Sequence, residues 1–487
     1  MNAFDYFFEL SGNSNHDAVV GKERVSYKTL RYNALTTALQ LNHMHGENNY
    51  ILLISDNSVF FITIYLAILK SGNICVPLNP AIEPENFRKV QIKTGASIAF
   101  VSQRYASKFS GLDLIIYNNP IPEIRSERQK HKTSDDTKHI FDENRTAEII
   151  FTSGSTGEQK GVIITHKNII ANTHSILEYL KLDKTDTIEV VMPFFYCYGL
   201  SLMHTHLRVG GSMHLNNHFI FLGGVIDDLN KYNCTGFAGV PSHFQILLRK
   251  TKEFKKTAFP SLRYVTQAGG KLHTAFIKEF TTAFPDINFY VMYGQTEATA
   301  RLSYLPPGEI QRKSGSIGRG IPGVELKVVN ENGIAVTPGE TGEIMAKGDN
   351  IMIGYLNDNE ATKATLRDGW LHTGDLATVD EDGYIYLQSR TREIIKVRGI
   401  RVSPKEIEAV IVNYPGVIDC TVYADSSETE GESISAIVYV NDSEINQFSA
   451  DKIRQHCAQS LASYKVPQKI TFTAQLMFNS SGKKSKY

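Results

Sequence analysis

The stretch that decides the fold of this chain is Phe151-Thr-Ser-Gly-Ser-Thr-Gly-Glu-Gln-Lys-Gly161, which stands between the apolar runs Ile149-Ile150 and Val162-Ile163-Ile164. Its glycines allow backbone conformations with positive φ, and its serines, threonines and Lys160 supply hydroxyl and cationic groups. A loop of this composition after a buried strand can bind phosphate oxygens through backbone N–H groups and hydroxyls. It lacks the spacing of a Walker A loop. The alternative is a flexible linker, but a linker would not lie between two apolar runs.

Upstream of this loop, short apolar strands alternate with helical segments. Ile51–Ile54 predicts a buried strand, Val59–Lys70 a helix that ends at Ser71-Gly72, and Cys75–Leu78 the next strand. Strand, helix and strand at this spacing indicate a parallel βαβ unit, and therefore an α/β fold. The alternation of strands and helices continues downstream. Strands are predicted at 149–152, 235–240, 264–267 and 289–292, and a helix is predicted at 169–180.

The pattern changes after about residue 315. Glycines and short strands then dominate, as in Gly323–Val329, Gly342–Met345 and Gly383–Leu387, which predicts an antiparallel region. After residue 390, a compact α+β stretch has a helix that opens at Ser403-Pro404. Its other predicted elements are strands at 393–397, 401–402, 418–424 and 434–440 and a helix at 450–461. We therefore expect two domains, 1–390 and 391–487, with a linker at 389–392.

Composition narrows the class of protein. The chain has 487 residues, and its 51 basic residues balance its 51 acidic ones, which argues against a nucleic-acid binder with a basic face. The five cysteines include no Cys-x-x-Cys pair, which indicates free thiols in a reducing compartment. Residues 1–10 lack the pattern of a signal peptide, and the longest apolar run, Val59–Leu69, is too short to span a bilayer. We expect a cytoplasmic protein without stable membrane insertion.

A second motif, Tyr293-Gly-Gln-Thr-Glu-Ala298, follows the predicted strand at 289–292. A hydroxyl and a carboxylate at the carboxyl end of a strand suit a ligand site in an open α/β sheet. Thr296 can contact a phosphate there, and Glu297 can hold Mg²⁺. The alternative for a Thr-Glu pair taken alone is a helix cap.

Three further motifs lie closer to the C-terminus. In Trp370-Leu-His-Thr-Gly-Asp-Leu376, Asp375 can accept hydrogen bonds from ribose hydroxyls, although an Asx-turn would give the same pattern. The segment Ser389–Gly399 carries several basic residues. The last motif, Asn479-Ser-Ser-Gly-Lys483, places a lysine on a glycine loop, where it can bring a point charge to a reacting phosphate. A solvated tail would look similar.

Taken in this order, the motifs resemble those of the adenylate-forming superfamily of acyl- and aryl-CoA synthetases, peptide-synthetase adenylation domains and luciferases. The resemblance runs from Val25-Ser-Tyr-Lys-Thr-Leu30 to Lys483. It implies a large N-terminal domain of stacked mixed and parallel β-sheets with helices and a β-rich subdomain. It also implies a small, mobile α+β C-terminal domain that rotates between two half-reactions.

The resemblance implies an activity as well. With ATP and Mg²⁺, a carboxylic acid is activated as an acyl-adenylate, and the acyl group then passes to a thiol. The thiol belongs either to coenzyme A or to the phosphopantetheine of a separate carrier protein. An acid–thiol ligase is the leading hypothesis. The alternatives are an adenylating enzyme with another acceptor, such as an amine, and a catalytically silent homologue.

The resemblance also assigns roles to the residues that match the family's motifs. Lys483 bridges the acid and the α-phosphate, Thr296 contacts phosphate, and Glu297 coordinates Mg²⁺. Lys396 belongs to the segment that enters the site for thiol attack. The implied nucleotide- and cofactor-binding residues are Thr152, Ser153, Gly154, Ser155, Thr156, Gly157, Lys160, Gly269, Gly270, Tyr293, Gly294, Asp375, Arg390 and Gly399.

The pocket for the acid is implied at Tyr196, Cys197 and Gly239. Amino-acid-activating relatives usually have Asp at the position of Cys197, to bind the α-ammonium group, so a fatty or aryl acid is favoured. The aromatic residues nearby suit such an acid, but they equally suit a protein core. Three histidines could also face this pocket, although a lone histidine is more often structural: His204, His206 and His243.

The chain departs from the family pattern in three places. Gln159 stands where the glycine-rich loop usually has Pro, and Tyr196 stands where His is frequent. Arg392 occupies the hinge position, which is usually Asp or Lys. Backbone donors of the loop are unaffected by the first change, and the hinge residue is still charged, so the predicted activity is retained.

Overall fold

The computed structural model describes residues 1–110, 113–120, 141–153, 159–390, 395–397, 400–427 and 431–475. Elements are numbered along the chain. The helices are α1 (Ala3–Phe8), α2 (Tyr27–His45), α3 (Val59–Lys70), α4 (Pro84–Thr94), α5 (His166–Leu180), α6 (Cys197–Val209), α7 (Leu222–Lys231), α8 (Pro241–Lys250), α9 (Glu253–Lys256), α10 (Thr274–Ala283), α11 (Asn359–Thr365), α12 (Pro404–Ile411) and α13 (Ala450–Ala458).

A nine-stranded sheet contains the strand that precedes the Tyr293 motif. Its strands are β1 (Asp17–Val20), β2 (Val25–Ser26), β9 (Thr187–Val190), β10 (Ser212–Leu215), β11 (Gly236–Gly239), β12 (Tyr264–Gln267), β13 (Asn288–Tyr293), β14 (Ser303–Leu305) and β15 (Arg319–Gly320). They are hydrogen-bonded in the order β15-β14-β13-β12-β11-β9-β10-β1-β2. The pairs from β13 to β1 are parallel, and the two edges are antiparallel. The carboxyl ends of β11, β12 and β13 therefore meet at one edge of the sheet.

A seven-stranded sheet carries the glycine-rich stretch. Its strands are β3 (Tyr50–Ile54), β4 (Ile74–Leu78), β5 (Ile98–Val101), β6 (Ile115–Tyr117), β7 (Thr146–Ser153), β8 (Gln159–Thr165) and β18 (Gly354–Tyr355). Their order is β18-β8-β7-β4-β3-β5-β6. Strand β3 pairs in parallel with β4, which confirms the predicted βαβ unit, whereas β7 and β8 form an antiparallel hairpin.

Helix α3 shows how local sequence positions these sheets. The Ser58 hydroxyl caps it by accepting from the Phe61 N–H, and Gly72, with φ of 73°, follows its end. The helix is apolar on all sides, and the residues from Phe61 to Leu69 are buried, as expected for a helix inside a large core. It shares one apolar cluster with residues of both sheets, including Ile51 and Ile188.

The predicted antiparallel region forms a five-stranded sheet. Its strands are β16 (Val324–Val329), β17 (Thr341–Gly348), β19 (Leu366–Arg367), β20 (Trp370–Val379) and β21 (Ile385–Arg390). Ser389 and Arg390 pair with β20, so the prediction that the linker begins at residue 389 is wrong. Backbone hydrogen bonds to β20 continue through both residues. Residues 391 and 392 of the predicted linker lie outside the described residues.

The C-terminal part has the predicted α+β character. It contains β22 (Ile395–Val397), β23 (Ile400–Val402), β24 (Asp419–Ser427), β25 (Gly431–Tyr439) and β26 (Lys469–Thr473). The first two strands pair antiparallel, β24 pairs antiparallel with β25, and β26 joins β25 in parallel. Helices α12 and α13 accompany these strands and begin where the sequence predicts them. The α/β fold class, with a β-rich region and a C-terminal α+β unit, is therefore confirmed.

Candidate functional site

The glycine-rich stretch lies at the end of the β7–β8 hairpin. Thr152 pairs with Lys160 and Ser153 with Gln159, so the backbone brings both ends of the stretch side by side. The Thr152 hydroxyl donates to the Lys160 carbonyl at 3.4 Å. The predicted phosphate-binding residues between these ends lie outside the described residues: Gly154, Ser155, Thr156 and Gly157.

Lys160 and Glu297 both contact Tyr355, a residue that none of the sequence motifs includes. The Lys160 ammonium lies 4.8 Å from the centre of the Tyr355 ring, and the Tyr355 hydroxyl donates to Glu297 Oε1 at 2.8 Å. Burial, followed by the nearby Glu297 carboxylate, raises the pKa of Tyr355, so its hydroxyl keeps its proton. The first motif and the second therefore share one site.

The turn after β13 positions Thr296 and Glu297, and in this turn the backbone at Gly294 passes close to the backbone at Ala300. A Cβ at Gly294 would lie 2.0 Å from the carbonyl oxygen of Ala300, so glycine is required there. Thr296 and Glu297 belong to a short 3₁₀ turn that leads to strand β14 rather than to an α-helix, and Gln295 before it makes no side-chain capping bond. Both features disfavour the helix-cap alternative. Thr296 Oγ1 lies 3.5 Å from the Cys197 thiol.

Asp375 is linked to the second motif. It lies on β20, is 5% exposed, and accepts a hydrogen bond of 2.7 Å from the Tyr293 hydroxyl at Oδ2. Its backbone pairs with that of Arg390, the residue predicted to assist it at the ribose. Asp375 is thus part of an extended strand pair that joins two motifs, rather than part of an isolated turn.

The predicted acid pocket lies where α6 begins. Tyr196 is the residue before the helix and Cys197 is its first residue, and both are partly exposed. Gly239 ends the neighbouring strand β11, where a Cβ would lie 3.0 Å from His243 Cβ. His243 is buried, and burial lowers its pKa to about 3, so the imidazole is neutral.

Two of the three histidines are core residues. His204 Nε2 is hydrogen-bonded to the Tyr65 hydroxyl at 2.8 Å, and its ring stacks on Phe7. His206 Nδ1 bonds to a backbone carbonyl of its own helix at 2.8 Å. Both are buried among apolar residues, so the structure does not support the expectation that they face the acid pocket.

The predicted glycines after β12 form the adjacent turn. Gly269 has φ of 81°, and Gln267 Nε2 donates to the carbonyl of Gly270 at 2.8 Å. Lys271, the next residue, donates to the carbonyl of Leu387 on β21 at 2.8 Å. The turn therefore connects the parallel sheet to the strand that leads into the C-terminal part.

The residues predicted to act from the C-terminal part are described only in part. Lys396 lies on β22, where its backbone pairs with Arg401. Gly399, the hinge residue Arg392 and Lys483 lie outside the described residues. Their roles stay predictions.

Tyr355 is the residue that sequence reasoning missed. Its place depends on the pairing of β18 with β8, whose sequence positions are far apart. A Gly-Tyr dipeptide carries no motif of its own, so the sequence held no signal for it.

The five cysteines lie in the described part of the chain and form no disulfide bond there, and Cys197 alone among them is not fully buried. In the described part of the chain, no helix combines the length and the apolar character needed to cross a membrane.

Comparison with known families gives a consistent assignment. Residues 9–356 match the AMP-binding enzyme family, and residues 406–483 match the AMP-binding enzyme C-terminal domain. The chain belongs to the AMP-binding enzyme family. Enzymes of this class are acid–thiol ligases, which use ATP and Mg²⁺ to activate a carboxylic acid as an acyl-adenylate before transfer to a thiol.

Individual relatives agree with this class. The chain is 30% identical to a probable CoA ligase from Humulus lupulus over 90% of this chain and 82% of the relative. It is also 30% identical to 4-coumarate–CoA ligase 3 from Arabidopsis thaliana, over 90% of this chain and 81% of the relative. Among solved structures, an anthranilate CoA ligase in complex with anthranoyl-AMP is similar, with a TM-score of 0.85, 22% identity and coverage of 99% of this chain and 95% of that one.

Proposed function

We propose that this chain is a CoA ligase that activates an aryl or fatty acid in the pocket beside Cys197. The observation that carries the proposal is the 3.5 Å contact between Cys197 Sγ and Thr296 Oγ1. It joins the predicted acid pocket to the predicted phosphate site. Adenylation requires that proximity, because the acid's carboxylate must reach the α-phosphorus of ATP.

In the first half-reaction, a carboxylate oxygen attacks the α-phosphorus, and the bond from that phosphorus to the pyrophosphate oxygen breaks. Two anions must approach each other for this step. Lys160, on β8 of the hairpin, and Lys483, of the C-terminal motif, are the cations that we assign to offset the repulsion. Thr296 positions a phosphate oxygen through its hydroxyl.

Glu297 is suited to hold Mg²⁺. The Tyr355 hydroxyl donates to Oε1 of this partly buried carboxylate and so orients it, and carboxylate oxygens are preferred Mg²⁺ ligands. When bound, Mg²⁺ supplies positive charge that neutralises the phosphates. The protein's own part is to fix the carboxylate, which the Tyr355 hydroxyl does.

Asp375 is suited to hold the ribose. Its Oδ2 accepts from Tyr293, and an ionised carboxylate can accept several hydrogen bonds, including those from ribose hydroxyls. We assign Arg390, its partner across the β20–β21 pair, the supporting role. In the second half-reaction, the thiol sulfur attacks the acyl carbon and AMP departs. We assign the segment of Lys396 and Gly399 to that step.

The chemistry of the pocket favours an acid without an ammonium group. Cys197 brings no charge to the start of α6, and buried His243, beside Gly239, is neutral because its pKa is lowered. An α-ammonium group would find no carboxylate partner at these positions. Several relatives are named for aryl acids, among them 4-coumarate–CoA ligase, which supports an aryl acid before a fatty one.

We further propose that the chain divides at residue 390 into the two domains predicted from sequence, and that it works in a reducing, cytoplasmic compartment, which its free cysteines support. The second candidate acceptor is the phosphopantetheine of a separate carrier protein, which presents the same thiol as coenzyme A.

The test is acid-dependent pyrophosphate release with ATP and Mg²⁺, across aryl, fatty and amino acids, with and without coenzyme A. We expect release with aryl or fatty acids that accelerates when coenzyme A is present. If coenzyme A does not accelerate pyrophosphate release, the acceptor is a carrier protein or an amine rather than coenzyme A. Release with amino acids alone would overturn the assignment of the pocket.

A further inference from the structure

A cluster of polar side chains lies beneath the nine-stranded sheet, and none of the motifs described above uses it. Glu189 lies on β9, His214 on β10 and Asp228 on α7, and a ligand atom from each lies within 4.8 Å of the others. His214 Nδ1 is 2.6 Å from Glu189 Oε2. The Cys234 thiol, just before β11, is 3.8 Å from the same carboxylate oxygen. Three elements therefore bring one imidazole nitrogen and two carboxylates together, and the Cys234 thiol lies beside Glu189 at the edge of this cluster.

Burying these groups together is unfavourable for the free energy of folding when no cation is bound. Glu189 is 0% exposed, Cys234 is 0% and His214 is 6%. Among the described residues, the ion-pair partner of Glu189 is His214, and no Lys or Arg reaches it. A buried carboxylate beside a second carboxylate is unfavourable as an anion, and a metal ion would stabilise it in addition to the contact with His214.

The surroundings fix the orientation of these groups. The Tyr232 ring stacks on His214, with ring centres 4.0 Å apart. Gly21, with φ of 117°, has no room for a side chain, because a Cβ there would lie 2.7 Å from the imidazole. The Asn216 amide donates to Glu189 at 3.0 Å and to Asp228 at 3.3 Å. Such outer hydrogen bonds orient the ligands in metal sites.

We propose that Glu189, His214, Asp228 and Cys234 form a structural site for a divalent metal ion of the zinc class. One imidazole nitrogen, one thiolate and two carboxylate oxygens make the four-coordinate set that Zn²⁺ prefers, whereas Mg²⁺ prefers oxygen ligands alone. On binding, the Cys234 thiol releases its proton to solvent and the imidazole carries its proton on Nε2. The ion would join β9, β10, α7 and the start of β11, and it takes no part in the chemistry at Glu297.

Cobalt gives a direct readout, because a thiolate–Co²⁺ bond absorbs in the near ultraviolet and tetrahedral Co²⁺ absorbs in the visible. The full-length protein is titrated with Co²⁺ in excess Mg²⁺, which occupies oxygen-only sites. We expect both bands to saturate at about one Co²⁺ per chain, as a four-ligand site predicts. Zn²⁺ should bleach them and raise Tm.

Variants locate the site. Cys234→Ala should lose the thiolate band, and His214→Gln should lose stoichiometric binding. Cys457→Ala removes a buried thiol from α13 and should keep both bands. If the two site variants fail to fold, the wild-type titration still decides. The proposal is overturned if the wild-type protein shows no thiolate–Co²⁺ band, or if Cys234→Ala retains it, and Glu189–His214 is then a hydrogen-bonded pair without metal.

Discussion

At the scale of single residues, Tyr355 determines how two motifs act together. Its ring lies against Lys160 and its hydroxyl holds Glu297, so one side chain spans the glycine-rich hairpin and the turn after β13. The raised pKa of Tyr355 keeps the hydroxyl a donor throughout the physiological pH range. The orientation of the proposed Mg²⁺ ligand therefore depends on a residue outside every motif.

Tyr355→Phe should slow adenylate formation while keeping the ring beside Lys160. A hydrogen bond to a charged group contributes about 1.5–3 kcal/mol, so we expect kcat/KM for ATP to fall about 10- to 100-fold. Pyrophosphate release over a range of Mg²⁺ concentrations measures this. Tyr386→Phe removes a hydroxyl that bonds to Asp380 and should leave the rate unchanged. Equal rates for wild type and Tyr355→Phe would contradict the proposed role.

Glu148 makes stability depend on pH. It is buried on β7, and burial raises the pKa of its carboxyl from 4.5 to about 7, partly opposed by the hydrogen bond from Tyr65. Because the folded-state pKa is the higher one, the folded chain binds an extra proton between these values. The free energy of unfolding therefore falls as pH rises from about 4.5 to about 7, by on the order of 3 kcal/mol.

Glu148→Gln should remove that contribution, because an amide does not ionise. The free energy of unfolding of the variant minus that of wild type should be more positive at pH 8 than at pH 5. Urea unfolding of both proteins at the two pH values measures this difference. Glu331→Gln changes an exposed carboxyl and should leave the wild-type pH dependence intact. If Glu148→Gln and wild type lose the same stability over this range, Glu148 is not the group responsible.

The residue scale also shows what the sequence could and could not predict. Thr296, Glu297 and Asp375 could be singled out as candidates because each lies in a short glycine-containing motif, and their roles stay predictions. Their mutual contacts could not, since the Tyr293–Asp375 bond joins residues 82 positions apart. For His204 and His206 the sequence left two interpretations open and favoured the structural one, and the structure supports it, because both side chains are buried and hydrogen-bonded.

At the scale of elements, boundaries were predictable where local signals mark them. Helix α3 and strand β12 have the predicted bounds, since a serine cap, a terminal glycine and small residues delimit them. Helix α1 was not predicted. Its six residues are too few to show a helical period, and its buried aromatic residues, such as Phe4 and Phe7, hold it in place by packing.

The turn after β13 gives an element-scale prediction. Gly294→Ala forces a Cβ against the Ala300 carbonyl, which must displace Thr296 and Glu297. A misplacement of about 1 Å can cost about 100-fold in rate, so adenylation should fall by about that factor. Gly308→Ala is the matched control, because a Cβ there meets open space. Wild-type pyrophosphate release by Gly294→Ala would show that the turn is not required.

At the scale of the whole molecule, the C-terminal part contacts the body at α8, the helix that follows Gly239. Gln245 Nε2 donates to Asp419 at 3.0 Å, and Arg249 donates to the carbonyl of Val412 at 2.9 Å. Strand β21 enters the same region, where Lys271 holds it. We propose that the C-terminal part rotates between the two half-reactions and that this rotation breaks these polar contacts.

Lys483→Ala tests whether the C-terminal part contributes to catalysis. Lys483 is assigned to adenylation alone. Pyrophosphate release by the variant should therefore fall by a factor of about 100 or more, while its Tm is unchanged. The second half-reaction, measured with preformed acyl-adenylate and coenzyme A, should continue. Lys486→Ala is the control for charge near the terminus. Full pyrophosphate release by Lys483→Ala would contradict the assignment.

The most direct measurement of the central claim is mass-spectrometric detection of the bound intermediate. The protein is mixed with ATP, Mg²⁺ and an aryl or fatty acid, quenched, and then, in a second sample, supplied with coenzyme A before quenching. The account predicts an acyl-adenylate in the first sample and its conversion to acyl-CoA and AMP in the second. An acyl-adenylate that coenzyme A leaves untouched would contradict the acyl-transfer step, and a chain that binds ATP but forms no adenylate with any such acid would contradict the account as a whole.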